Sequence, residues 1–351
     1  VSSLAAGATL AAAFARDNGA KNRLASGSYP GFSTTQDAIM RLFQFDDGGR
    51  AAIGAAVSDR EFIDVSAVDP RLPRNLQTVL SESDGLDRAR AAVSKNQARR
   101  PVADARFLPL IARPNAIWAL ALNFKRHIEE TGLTTSTVHP HVFLRMPASI
   151  VAHGAPLLCP PPEVARAYDY EGELAVVIGK GGRHIPRDKA LDHVAGFTCF
   201  NEGSVREYQS HNRQFGLGKN FEQSGSCGPW LVTRDEMPDY KSARLVTRLD
   251  GIERQNSLLS DLLFDVEQVI SYLSSGYALR VGDIIAMGTP GAIPREDPND
   301  IGNDLSKQFG PIKVKGLVHM RPGSIVEVEI SGIGTLRNPI VADRPHEYRA
   351  A

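Results

Sequence analysis

Tyr168-Asp169-Tyr170-Glu171-Gly172-Glu173-Leu174-Ala175-Val176-Val177-Ile178-Gly179 sets two acids inside an apolar run. A strand alternates its faces with period two, so Glu171 and Glu173 share one side. Tyr170, Leu174, Val176 and Ile178 occupy the other, which wants a core. Two carboxylates about 5 Å apart at an effective dielectric near 20 repel by roughly 3 kcal/mol. Buried, such a pair needs a shared proton or a bound cation. The alternative is an exposed edge strand whose acids are solvated. A strand ending in ELAVVIG is too apolar for a wet edge, so a cation held by carboxylates is the better reading.

The bulk composition narrows the partners. The chain has 351 residues, 40 Lys plus Arg and 40 Asp plus Glu, for a formal net charge of zero. A polyanion partner leaves a basic excess, and there is none, so nucleic acid is not expected. No run approaches the length that spans a bilayer, so neither is a membrane. Cys159, Cys199 and Cys227 are odd in number, far apart and without CxxC spacing. That is the usage of a reducing compartment, with buried thiols and a cytoplasmic location expected. Leu4 to Ala15 looks a little like a leader ending in an A-x-A site but lacks a basic start. An Ala-rich surface helix is the preferred reading there, with export as the open alternative.

Outward from the acidic strand, the texture divides the chain into three. Residues 1–38 read as an N-terminal extension, polar and Gly/Ser-rich in its second half. Residues 39–110 read as a small α/β domain. Its strands are Met40–Phe45, Ala51–Val57 and Glu61–Val65, with a hairpin turn at Asp46-Asp47-Gly48-Gly49 and a helix over 75–97. Residues 111–351 carry many short strands, among them Ile117–Leu122, Gly196–Phe200, Arg244–Leu249 and Ser324–Ile330. Few helices interrupt them, at about Lys125–Thr131, Arg187–Val194, Val205–Gln209 and Ser260–Ser274. Strands outnumber helices and do not alternate with them, which excludes a doubly wound parallel sheet. The expected class is α+β and β-rich, a mixed β-roll or distorted barrel with peripheral helices.

Several motifs fail on inspection. Gly216-Leu-Gly218-Lys219 would need Gly at 213 and Ser or Thr at 220 to be a phosphate loop, and has Arg and Asn. Gly179-Lys-Gly181 and Gly332-Ile-Gly334 lack the third glycine of a dinucleotide fingerprint. No G-x-S-x-G elbow occurs, and His127-Ile-Glu-Glu130 is not HExxH. Metal chemistry without a nucleotide remains.

Five segments stand in an order that resembles the fumarylacetoacetate hydrolase family. They are Asn123-Phe-Lys-Arg-His127-Ile-Glu-Glu130, Tyr170-Glu171-Gly-Glu173-Leu, Phe200-Asn201-Glu202-Gly-Ser-Val-Arg206-Glu-Tyr-Gln209, Gly218-Lys219-Asn-Phe and Gly288-Thr289-Pro290-Gly291. Gly228-Pro229-Trp230 and Gly282-Asp283-Ile284 are also in place, and the similarity runs from about Ala116 to Ile340. The resemblance implies the family's fold and a divalent cation, Mg²⁺ first, with Mn²⁺ or Ca²⁺ as alternatives. It carries the ligand roles to Glu171, Glu173 and Glu202, an all-oxygen set that suits hard cations over zinc. Glu202 departs from the family's Asp, and its competing reading is an acid at a helix N-terminus near Ser204.

The same resemblance assigns catalysis to His127 and Glu130, one helical turn apart, as a water-activating pair. Glu129 is an alternative partner, and an exposed charged helix is the plain alternative. Lys219 would set an ammonium beside the metal to stabilise an enolate or oxyanion, or else be a surface lysine. Arg145, where the family usually has Lys, Arg206, Gln209 and Thr289 are implied substrate-binding residues, Thr289 being equally readable as a structural turn. The expected activity is hydrolysis of a C–C bond in a 1,3-diketo acid of the acylpyruvate or fumarylacetoacetate type. Isomerisation, decarboxylation or dehydration of a 2-keto acid at the same site is the alternative, and a silent binding protein the third. The resemblance also implies a homodimer. Residues 292–322 exceed the family's short link and read as an insertion beside the site.

Overall fold

The chain enters its main sheet through a hairpin, β1 (Arg41–Asp47) and β2 (Arg50–Ala56), turned at Gly48 and Gly49 with φ of 61° and 87°. Two successive left-handed residues are what a tight two-residue hairpin needs, and only glycine takes them without strain. The structure, a computed structural model, describes residues 40–95, 98–125, 128, 138–212, 214–293, 303–304, 313–314 and 318–344. β3 (Glu61–Asp64) and β4 (Arg99–Pro101) continue the sheet outward, with helices α1 (Val65–Val68), α2 (Leu76–Ser81) and α3 (Gly85–Ser94) between them. The single helix expected over 75–97 is thus two helices. Glu82 turns extended (φ −82°, ψ 138°), and Ser-Glu-Ser-Asp offers side-chain acceptors that compete with helical bonding.

The remaining strands follow in order. They are β5 (Ile117–Ala121), β6 (His141–Arg145), β7 (Ile150–Val151), β8 (Leu157–Cys159), β9 (Tyr168–Asp169), β10 (Gly172–Ile178), β11 (Val194–Asn201) and β12 (Ser204–Val205). After the short helix α4 (Arg206–Gln209) come β13 (Gly225–Thr233), β14 (Arg244–Leu249), β15 (Ile252–Leu258), helix α5 (Val266–Gly276) and β16 (Ile284–Ala286). The pairs β17 (Asn303–Asp304) with β18 (Lys313–Val314), and β19 (Ile325–Ile330) with β20 (Gly334–Ala342), complete the chain. α5 starts later than the helix expected from Ser260 because Asp265 caps it, in a reciprocal capping box with Gln268.

An eleven-stranded sheet runs β4-β3-β2-β1-β13-β11-β10-β16-β5-β6, with β7 beside β13. A five-stranded sheet runs β15-β14-β19-β20-β8. This is an α+β, sheet-rich fold with few helices, as the strand count implied. β1 pairs with β13 through Arg41↔Val232 and Leu42↔Leu231, so residues 39–110 share a sheet with the rest, and Ala38–Ala351 forms one unit.

β10 lies deep in the large sheet and is buried along its whole length. Leu174, Val176 and Ile178 join the core that α5 and the five-stranded sheet complete, with Val269, Leu245 and Val328. Ala175 and Val177 face a second core under α2 and α3, with Leu76, Val79 and Ala89. Both faces of the strand are therefore dry, which is why its sequence is a nearly continuous apolar run. Trp230 on β13 ties the two sheets, its Nε1 donating to the Ile333 carbonyl at 2.5 Å. The three cysteines are free and buried. Burial pushes the Cys159 thiol up to about 11 and Cys227 to about 12, so neither is a nucleophile at neutral pH. Among the described residues no helix is long and apolar enough to cross a membrane. Residues 1–38, His127, Glu129, Glu130 and most of 292–322 lie outside the described residues.

Candidate metal centre

Register brings the acids together. β10 and β11 are antiparallel with Gly172 opposite Asn201, so Glu171 and Glu202, each just beyond its strand end, come side by side. The Glu202 N–H donates to the Glu171 carbonyl (2.8 Å), and the Glu171 N–H donates to Asn201 Oδ1 (3.2 Å). Glu173 enters from β10 itself, its Oε2 accepting the Gly288 N–H at 2.7 Å. One oxygen of each of Glu171, Glu173 and Glu202 lies within 4.8 Å of the others, and all three residues are buried. The same-side placement argued from the strand period holds.

Cations already surround this cluster. Lys219 Nζ donates to Glu171 Oε2 (2.7 Å) and Glu202 Oε2 (2.9 Å), and sits 5.4 Å from the centroid of the Phe143 ring. It is delivered by the turn Leu217–Lys219, where Gly218 packs so closely that a Cβ would stand 2.2 Å from the Gln209 backbone nitrogen. Arg206 donates from Nε (3.0 Å) and Nη2 (2.7 Å) to Asp169 Oδ2, from Nη1 to Gln209 Oε1 (2.7 Å), and pairs with Glu171 Oε1 at 2.5 Å. Arg145 donates to Ser149 Oγ, the Gly203 carbonyl and Ser224 Oγ, and approaches Glu202 Oε1 only to 3.6 Å.

The three glutamates are therefore electrostatically unequal. Burial alone would raise the Glu171 carboxyl, but Arg206 and Lys219 overcome it and hold that group well below the carboxylate range. Among the described residues no cation pairs directly with Glu173; burial, then Glu202 and Glu171, push it well above the ordinary value, with Lys219 opposing. Glu202 is raised too, mainly by burial, with Lys219 opposing. Two buried oxygens, Glu173 Oε1 and Glu202 Oε1, have no hydrogen-bond partner among the described residues. Unpaired buried acceptors of this kind cost free energy unless something positive meets them. With an all-oxygen donor set, they fit a hard divalent cation.

The other residues expected at the site are placed as follows. Thr289 Oγ1 accepts from Gln255 Nε2 (2.8 Å), and Gln255 Oε1 accepts the Gly172 N–H (2.9 Å), so Gln255 bridges the Gly-Thr-Pro-Gly turn to the acidic strand. Gln209 and Arg206 share a face of α4 and bond each other. Arg145 and Arg206 spend most of their donors on protein acceptors, positioning Glu202 and Glu171. Four residues with structural parts here had been given no role: Asp169, Asn201, Ser204, whose Oγ donates to Glu171 Oε1 (3.1 Å), and Gln255. Asp169 stood in the quoted stretch, and an Asp two residues from a buried Glu is a signal for an arginine partner.

A model of the fumarylacetoacetate (FAA) hydrolase C-terminal family matches residues 116–341. The chain belongs to the fumarylacetoacetate hydrolase family. It is 30% identical over 309 residues to oxaloacetate tautomerase YisK of Bacillus subtilis, covering 83% of this chain and 96% of that one. It superimposes on a fumarylacetoacetate hydrolase from psychrophilic Exiguobacterium antarcticum with a TM-score of 0.68 at 29% identity, covering 87% of this chain and all of that one (100%). Maleylpyruvate hydrolase from Sphingobium sp. SYK-6, solved with manganese(II) ion and pyruvate, shares the fold at 24% identity and a TM-score of 0.67, over 87% and 100% of the two chains. The family thus holds tautomerases as well as hydrolases, and the buried acidic triad of this member is compatible with a divalent metal.

Proposed function

We propose that this family member is a divalent-metal-dependent enzyme that handles small 2-keto acids through their enolates. Its reaction in this reading is C–C hydrolysis of a 1,3-diketo acid of the acylpyruvate or fumarylacetoacetate type. The observation that carries it is the pair of buried oxygens, Glu173 Oε1 and Glu202 Oε1, that accept no hydrogen bond among the described residues and lie beside Glu171. A divalent cation held by these three residues would supply, when bound, the positive charge that polarises a keto acid's oxygens.

The chain's own residues do the rest. Lys219 stands where an ammonium meets negative charge developing on a substrate oxygen, in a water-poor site where that interaction is strong. Gln255 and the Gly288 N–H hold the opposite wall rigid. His127, with Glu130 orienting it, takes a proton from water, and the water oxygen bonds to the distal carbonyl carbon. The C–C bond then breaks, its electron pair leaves with the keto-acid fragment as an enolate, and a proton returned to carbon completes the reaction.

A second reading, keto–enol tautomerisation of a keto diacid, is favoured by the 30% identity to oxaloacetate tautomerase across nearly all of that protein. It needs the enolate but no water attack. One panel separates the two: acylpyruvates, oxaloacetate and 2-keto-3-deoxy sugar acids with Mg²⁺ or Mn²⁺, each repeated with EDTA. Metal-dependent pyruvate release from an acylpyruvate supports hydrolysis. Metal-dependent loss of enol oxaloacetate without cleavage of any substrate supports the tautomerase. Full activity after exhaustive chelation, or none on the whole panel, sinks both.

A further inference from the structure

Arg254 is an arginine that the fold largely buries and leaves without a hydrogen-bond or ion-pair partner among the described residues. It is 8% exposed, its Nε is sealed from solvent with no acceptor, and among the described residues no ion pair or hydrogen bond reaches its side chain. The two other arginines around the acidic cluster are tied down, Arg206 by Asp169 and Glu171, Arg145 by Ser149, Gly203 and Ser224. A largely buried cation with no protein partner is costly, and an anion arriving from outside would relieve that cost.

The position of Arg254 follows from a bulge. β15 sets Gln255 opposite Thr247 and Glu253 opposite Arg248 on β14, so Arg254 is the extra residue. A bulge of this kind re-aims a side chain, and bulges gather beside active sites. Its neighbour Gln255 reaches Thr289 Oγ1 (2.8 Å), the Pro290 carbonyl (2.7 Å) and the N–H of Gly172, the residue between Glu171 and Glu173. The Arg254 carbonyl accepts the Ile293 N–H at 2.7 Å, fastening the segment after Gly-Thr-Pro-Gly to the same strand. The Tyr170 hydroxyl is within electrostatic reach of both Arg254 and Arg206, and Arg206 touches Glu171.

From this placement we infer that Arg254 is a second anion-binding group of the site, taking the distal carboxylate of a dicarboxylic keto acid whose keto-acid end lies at the three glutamates. The inference rests on the keto-acid reading above and narrows its substrate class. A planar guanidinium matches a carboxylate through two parallel N–H bonds, which an ammonium cannot do.

The test is calorimetric titration of the Mn²⁺-loaded full chain with oxalate, which mimics only the keto-acid end, and with malate, which adds a distal carboxylate. In Arg254→Gln, oxalate affinity should stay within about threefold of wild type. Malate affinity should fall about 30-fold or more, as when one partner of a desolvated charge pair is deleted. Arg254→Lys, which keeps the charge but not the fork, should recover part of the loss, and matching melting temperatures certify folding. Equal losses for both ligands, or no loss for malate in either variant, overturn the assignment while the keto-acid reading stands. Binding of neither ligand by the Mn²⁺-loaded wild type overturns both.

Discussion

Lys219 bridges Glu171 and Glu202, so a divalent ion held by the three glutamates would have to share two carboxylates with its ammonium. The balance of charge would allow both. Four buried acids, Glu171, Glu173, Glu202 and Asp169, face three cations, Lys219, Arg206 and Arg145, and the deficit falls on Glu173. Glu173→Gln should therefore abolish Mn²⁺ binding in a calorimetric titration, and unchanged affinity would remove Glu173 from the ligand set. Lys219→Met should leave the ion bound while kcat falls by about 100-fold or more, the usual cost of a lost transition-state donor. A kcat within about threefold of wild type would reduce Lys219 to a structural counter-ion. At this scale the sequence is partly legible. The shared side of Glu171 and Glu173 follows from strand period alone. Glu202 follows only from family resemblance, because nothing in its spacing says that Asn201 would pair with Gly172. The pairing of Arg206 with Asp169 and Glu171 is a contact that its one-turn spacing from Gln209 does not reveal.

Among the elements, β10 matters most to stability, since it is dry on both faces and carries Glu173. Leu174 is fully buried (0% exposed) in the core between the sheets. Leu174→Ala should cost about 3 kcal/mol, lowering the urea midpoint without altering the slope. A loss under about 1 kcal/mol would mean that the two sheets do not pack across this strand. The strongly apolar elements were readable in advance, and Arg244–Leu249 was placed to the residue. β15 was not. Ile-Glu-Arg-Gln-Asn-Ser-Leu has no apolar alternation because it is an edge of the five-stranded sheet, with Gln255 turned to the acidic strand and Asn256 bonded to Glu253 and Arg244. An edge strand with a functional face carries little of the hydrophobic signal that reveals a strand.

The whole molecule has a pH weakness away from the metal centre. His153 joins three parts of the fold, with its ring 4.7 Å from that of Phe107 and its Nδ1 accepting the Arg337 N–H of β20 (3.1 Å). Burial, aided by Arg337, pulls its pKa from 6.5 to about 4. Below pH 6.5 the unfolded chain takes up a proton that the folded chain refuses until about pH 4. The unfolded state thus binds more protons, and stability rises with pH across that window and is lost as pH falls through it. The melting temperature should drop between pH 7 and 4.5, and His153→Gln, which keeps an acceptor, should flatten the decline. An identical slope in that variant would place the acid sensitivity elsewhere. At this scale the sheet-rich α+β class is legible from the strand count, whereas the β1–β13 pairing that puts Arg41 and Leu42 beside Val232 and Leu231 is long-range and leaves no local signal.

The inter-sheet bond of Trp230 gives the molecule an optical reporter. The chain has only 2 tryptophans. Trp118 lies in the eleven-stranded sheet with its ring 5.4 Å from that of Tyr277, while Trp230 alone bridges to the other sheet. A Trp118→Phe protein would emit from that single buried indole. Its fluorescence should stay blue while the sheets remain docked and move red when they separate, which lets their parting be timed against chelation of an added divalent ion.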